Sequence, residues 1–252
     1  MNKYRISAVS YLNTLPFIYG LRNHTIIDQI DLSLDNPKIC AEKLINNQVD
    51  IGLVPVAVLP DIRNGKIISD FCIGAVRKVK SVILYSNSEI NQVDTILLDY
   101  QSRTSVMLVK FLVKHLWKTN VKWVPASPGY EKIHLNENEA GLVIGDRSFA
   151  IGNNYSYVYD LSEQWYLHTG LPFVFATWTS NKHIESEFLI KFNEALQFGV
   201  NNLKNAVNEN PDNTIINKTD LLMYLSNDIS YTLDQQKKKG MDHFLKAIIG
   251  LK

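Results

Sequence analysis

Short apolar runs alternate with amphipathic stretches of helical length over most of the chain. The run at 4–9 stops at a polar turn, 10–14, and Pro16 then suits the first turn of a helix reaching about residue 21, where a missing N–H costs no hydrogen bond. Residues 30–34 alternate as a strand does. Asn36-Pro37 starts a helix whose apolar stripe is Ala41, Leu44 and Ile45, and 49–55 is a buried strand ending at a proline. Strand, helix, strand, helix, strand favours parallel pairing. Further strands are expected at 71–76, 81–85, 95–98, 121–124, 141–144 and 157–159. Helices are expected at 103–118 and 161–167. The segment 172–178 reads as an apolar crossing between lobes. Beyond Glu185 the chain is helical, with Phe188, Phe192, Ala195, Leu196 and Val200 on one stripe, and later helices at 221–225 and 235–249.

This pattern predicts an α/β protein of two lobes with a ligand cleft between them. Lobe one comprises 1–86 and 173–252, and lobe two comprises 87–172. Two crossings make a hinge, and ligands of open α/β sheets lie beyond the C-terminal ends of strands. No linker and no internal repeat interrupts the scheme.

Composition narrows the function. A net charge of +1 argues against a nucleic-acid partner but leaves room for a local cationic pocket. The two cysteines, Cys40 and Cys72, form no C-x-x-C pair and sit among apolar residues, as buried thiols do. His24, His115, His134, His168, His183 and His243 are scattered, so no metal site is expected. Arg5, Ser7, Ser10, Asn13 and Thr14 break up the apolar residues of the first segment, unlike a secretory signal, and no apolar run has the length of a membrane helix. The expectation is a cytoplasmic protein, monomer or homodimer, without a membrane or nucleic-acid partner.

Candidate chemistry gathers at strand ends. Ser10 and Asn13 follow the first strand, where each either touches a ligand or caps the next helix. Ser102-Arg103-Thr104-Ser105 opens a helix after a strand. Its free N–H groups and hydroxyls suit a carboxylate, and ordinary capping is the competing reading. Asp146 follows the strand at 141–144 as a base or, more in keeping with its position, a helix cap. Asp50 reads as structural. Trp165, Phe173 and Phe175 read as core, with one of them a possible pocket wall. His168 alone is weak evidence of acid–base chemistry. There are no paired carboxylates at acid–base spacing and no Ser-His-Asp set, which favours catalysis by orientation and hydrogen bonding.

Five segments resemble one family in order and spacing: Val9-Ser10-Tyr11-Leu12-Asn13-Thr14-Leu15-Pro16, Asp50-Ile51-Gly52-Leu53-Val54-Pro55, Ser102-Arg103-Thr104-Ser105, Gly145-Asp146, and Asp160-Leu161 through Trp165 to Thr169-Gly170-Leu171-Pro172-Phe173-Val174-Phe175-Ala176. They are similar to the MqnA/MqnD family of the futalosine route to menaquinone, and closest to its chorismate dehydratase branch. The resemblance covers roughly the first 180 residues. It implies the periplasmic-binding-protein type II fold. It also implies conversion of the small anion chorismate to 3-[(1-carboxyvinyl)oxy]benzoate and water, with no metal or organic cofactor. It places Asn13 and Ser81 in the pocket as catalytic residues and Ser102, Thr104 and Ser105 in anion binding, with Arg103 either binding substrate or bracing the loop; Ser10 and Asp146 are substrate-binding candidates from their positions at strand ends. Ser162 departs from the glycine many relatives carry, and Arg147-Ser148-Phe149 from smaller residues. An enzyme of the other branch, acting on cyclic dehypoxanthine futalosine, and a non-catalytic anion-binding protein of the same fold remain open alternatives.

Overall fold

The computed structural model describes residues 3–151, 154–211 and 215–251. Strands β1 (Tyr4–Val9), β2 (Ile30–Asp35) and β3 (Ile51–Pro55) pair in parallel with β1 in the middle, as the alternating opening predicts. Helix α1 (Leu15–Asn23) has its proline at the N-terminus, and α2 (Pro37–Ile45) is capped by the Asn36 side chain, which accepts from the Ile39 N–H at 3.0 Å.

The first sheet is completed by β4 (Lys66–Ala75), β10 (Phe173–Ser180) and β11 (Ser230–Thr232), in the order β11-β4-β10-β3-β1-β2. The segment expected to cross between lobes is thus β10 itself. It runs antiparallel between β3 and β4 and is buried along its whole length. A strand covered on both faces reads as a continuous apolar run, and such a run does not reveal its neighbours.

The second sheet contains β5 (Val82–Ser86), β6 (Thr95–Leu98), β7 (Lys122–Pro125), β8 (Glu139–Ile144) and β9 (Tyr157–Asp160), in the order β7-β6-β8-β5-β9. Here the expected boundary after residue 86 needs correcting. β5 lies between β8 and β9, antiparallel to both, so sheet membership changes between β4 and β5. The turn between them explains this. Asp160 accepts from the Val79 and Lys80 N–H groups at 2.9 and 2.7 Å, and Lys80 takes a left-handed φ of 60°. The chain therefore enters β5 already bound to the end of β9.

Helix α3 (Thr104–Leu112) continues as a π-helical turn, Val113–Trp117, close to the length expected. Helix α4 (Leu161–Thr169) is capped by Asp160 and ends at Gly170 with φ 70°. The tail supplies α5 (Ser186–Asn201), α6 (Leu203–Glu209), α7 (Lys218–Asn227) and α8 (Gln235–Ile248). The buried stripe of α5 is Phe188, Phe192, Ala195, Leu196 and Gly199. Most of the core is one continuous cluster through both sheets, including Trp165, Phe173 and Trp178. Cys40 and Cys72 are buried free thiols that burial pushes up to about 12. Asp50, although buried, is held at about 2 by Arg5 and Lys182, which makes it a structural anchor. Among the described residues no helix is long and apolar enough to cross a membrane.

Candidate active site

A cavity of about 60 Å³ lies between the two sheets at the C-terminal ends of β1, β3 and β8. Its wall brings together Asn13, Ser81, Ser102, Arg103, Thr104 and Ser105, which the sequence scatters over 93 positions, and Phe175 and Pro55 add apolar surface. Ser10 and Asp146 are not on this wall. Ser10 is exposed, with its N–H bonded to the Asp35 carbonyl at 2.9 Å. Among the described wall residues Arg103 is the one charged side chain, and there is no carboxylate or histidine. His168 packs instead against Phe111, 5.7 Å between rings. A larger concavity, about 860 Å³, lies beside Lys66, Asp70 and Lys182 and gathers none of the predicted residues.

The Ser102–Ser105 loop is partly committed to the fold. The Ser102 hydroxyl caps α3 by accepting from the Ser105 N–H at 3.0 Å. The Thr104 hydroxyl donates to the Phe175 carbonyl at 3.1 Å and accepts from the Ala57 N–H at 3.3 Å, tying the second sheet's helix to the first sheet. What faces an anion there is the start of α3 with its positive dipole end, together with Arg103.

Other contacts close the cleft. The Tyr11 hydroxyl donates to Gln101 Oε1, and the Leu12 N–H donates to Asp146 Oδ1 at 3.0 Å. On the second-sheet side alone, Arg147 pairs with the fully buried Asp99 at 2.7 Å, offsetting part of the burial that raises the Asp99 carboxyl. The cavity is smaller than the roughly 300 Å³ at the low end for ligand sites.

Burial pushes the Asp146 carboxyl up to about 6, against the opposing Leu12 N–H and Arg147. The folded chain therefore binds this proton more tightly than the unfolded chain, whose carboxyl stays near 3.8. The cost of burying the charge is fully present above pH 6 and is relieved as pH falls below it. Against Asp146→Asn, wild type should gain about 1 kcal/mol between about pH 7.5 and about pH 5. Parallel denaturation midpoints for the two proteins across that range would contradict this.

Tyr224 on α7 is the residue that pattern reading missed. It is 2 % exposed, and its hydroxyl donates to Ser81 Oγ at 2.7 Å. A tyrosine on the stripe Leu221, Tyr224, Leu225 reads as core, and nothing local marks a partner 143 residues away.

A family model described as menaquinone biosynthesis matches residues 4–248. The chain belongs to the menaquinone biosynthesis family. A chorismate dehydratase of Thermus thermophilus is 24% identical to this family member over 98% of this chain and 96% of its own. A crystal structure of an Archaeoglobus fulgidus protein superposes with a TM-score of 0.76 at 14% identity, covering 99% of this chain and 97% of that one. A Candida albicans protein described as having the generic periplasmic-binding-protein fold superposes at 0.67 with 12% identity, over 100% of this chain and 91% of its own. The menaquinone family member thus has the two-lobed fold that its motifs imply.

Proposed function

We propose that this protein is a chorismate dehydratase, a hydro-lyase that converts chorismate to 3-[(1-carboxyvinyl)oxy]benzoate and water. The observation that carries this reading is the convergence of Asn13, Ser81 and the α3 N-terminus on one cavity between the sheets. The Thermus relative's name supports the same substrate.

In the reaction a ring C–H bond breaks and its electron pair becomes a ring π bond. The neighbouring C–O bond breaks, and the departing hydroxide leaves with the proton as water. Aromatisation drives the elimination. The described wall offers hydrogen-bond donors and one guanidinium but no carboxylate or imidazole. The proton passes to an enzyme group or to the substrate's own side-chain carboxylate. Arg103 and the start of α3 hold a carboxylate, while Asn13 and Ser81 donate to the oxygen where charge develops. The two lobes part to admit substrate and close to exclude water. Asp146, Tyr11 and Thr104 act as contacts that hold the closed form.

The test is incubation with chorismate and, separately, with cyclic dehypoxanthine futalosine, following products by NMR. New aromatic protons from chorismate support the proposal. Turnover of the futalosine derivative alone assigns the other branch, and binding without turnover assigns a solute-binding role.

A further inference from the structure

We propose that Tyr224 is a positioning residue that works through Ser81, directing the Ser81 hydroxyl proton into the cavity. This deepens the dehydratase reading and rests on it. A serine hydroxyl carries one proton and accepts through its lone pairs. Because Tyr224 donates to Ser81 Oγ at 2.7 Å, the serine oxygen is already occupied as an acceptor from behind. Ser81 is 1 % exposed and lies on the cavity wall, and it makes no other side-chain hydrogen bond among the described residues. Its own proton is left to face the ligand. Two hydroxyls in series within a buried site polarise one another, so the terminal O–H becomes a better donor to developing negative charge. Burial raises the Tyr224 phenol far above its usual value, which keeps the relay protonated at every working pH.

The surroundings are built to hold this geometry. Phe149 presses on the Tyr224 ring edge-on, 5.0 Å between centroids, so the larger residue after Gly-Asp buttresses the relay. From the end of the same helix, Asp228 approaches Lys80 Nζ at 2.8 Å, next to Ser81 in the chain. The Ser81 N–H donates to the Val79 carbonyl at 2.7 Å, and its carbonyl accepts from the Gly145 N–H at 2.8 Å. The tail thus grips both the side chain of Ser81 and the corner that carries it.

The experiment compares wild type, Tyr224→Phe, Ser81→Ala and the double variant. Phenylalanine keeps the ring contacts, and thermal melting checks that each variant folds. With chorismate, Y224F should lower kcat about tenfold, the value of one charge-directed hydrogen bond, with KM changed by less than about threefold. In the S81A background the same substitution should cost less than about threefold, because the group it acts through is gone. Wild-type kcat in Y224F, or the same tenfold loss on top of S81A, overturns the proposal; the second outcome is what a structural role gives. Binding of sodium 3-hydroxybenzoate, whose ring oxygen stands where Ser81 donates, separates the two readings by calorimetry. A wild type that leaves chorismate unchanged defeats the dehydratase reading, and the relay is then judged on 3-hydroxybenzoate alone. Y224F should bind it about threefold more weakly than wild type, and the double variant should bind it as S81A does. Equal 3-hydroxybenzoate affinity in wild type and Y224F overturns the relay.

Discussion

Asn13→Ala should lower kcat for chorismate about a hundredfold while leaving the folded structure intact, the range seen when one preorganised donor to developing charge is removed. Asn13 sits in the short 3-10 turn Leu12–Thr14, half-buried, with its side chain on the cavity wall. Its carbonyl oxygen accepts from the Thr14 hydroxyl at 3.1 Å. That bond fixes which end of the amide is occupied by the protein and leaves the NH₂ as the donor on the cavity wall. Alanine deletes the donor. Because the turn is held by backbone bonds, including the Thr14 N–H to the Tyr11 carbonyl at 3.0 Å, the melting temperature should change little. Steady-state kinetics and a thermal melt check both halves. Near-normal kcat would remove Asn13 from the chemistry.

The second large effect is on stability, and it starts from two glycines. Helices α1 and α5 cross at Gly20 and Gly199. A Cβ on Gly199 would lie 1.9 Å from the Pro16 carbonyl oxygen, and one on Gly20 would lie 2.0 Å from that of Ala195. Both obstacles are backbone, so neither can be relieved by a rotamer change. The helices would have to separate, opening the packing of Phe17 against Trp178, whose rings are 5.9 Å apart. Gly199→Ala should therefore cost about 3 kcal/mol despite alanine's better helix propensity, lowering the melting point by about 6–12 °C. Since α1 follows the Asn13 turn directly, the surviving folded protein should also lose activity. A melting point at or above that of wild type would show that the helices cross elsewhere.

Much of the site is legible in sequence because strand ends are legible. An apolar run that stops at a polar turn, followed by a proline or a Ser-Arg-Thr-Ser, locates a loop on the ligand side, and Asn13 and the 102–105 loop emerge in this way. The same local logic does not say which sheet a run joins. β5 is buried on both faces and would read alike in either sheet, so the boundary expected at residue 86 lies one strand past the observed one, whereas the return to the first sheet at 173 agrees with β10. Capping competes with ligand binding for the same side chains. Ser102 and Thr104 lie at the cavity as expected, yet their hydroxyls are bonded to the Ser105 N–H and to Ala57 and Phe175. The support behind the site was illegible for a different reason. Tyr224 reaches Ser81, Arg147 reaches Asp99, and Tyr11 reaches Gln101 only because the chain folds back over 48 to 143 residues. Pairs of that kind have no local pattern to betray them.

The most direct test is a crystal structure with 3-[(1-carboxyvinyl)oxy]benzoate bound. The account predicts the ring between the two sheets, its ring carboxylate or side-chain carboxylate at Arg103 and the start of α3, an ether or ring edge within hydrogen-bonding reach of Asn13 and Ser81, and a cavity wider than 60 Å³. Density for the ligand in the concavity beside Lys66 and Lys182, with Asn13 and Ser81 untouched, would contradict it.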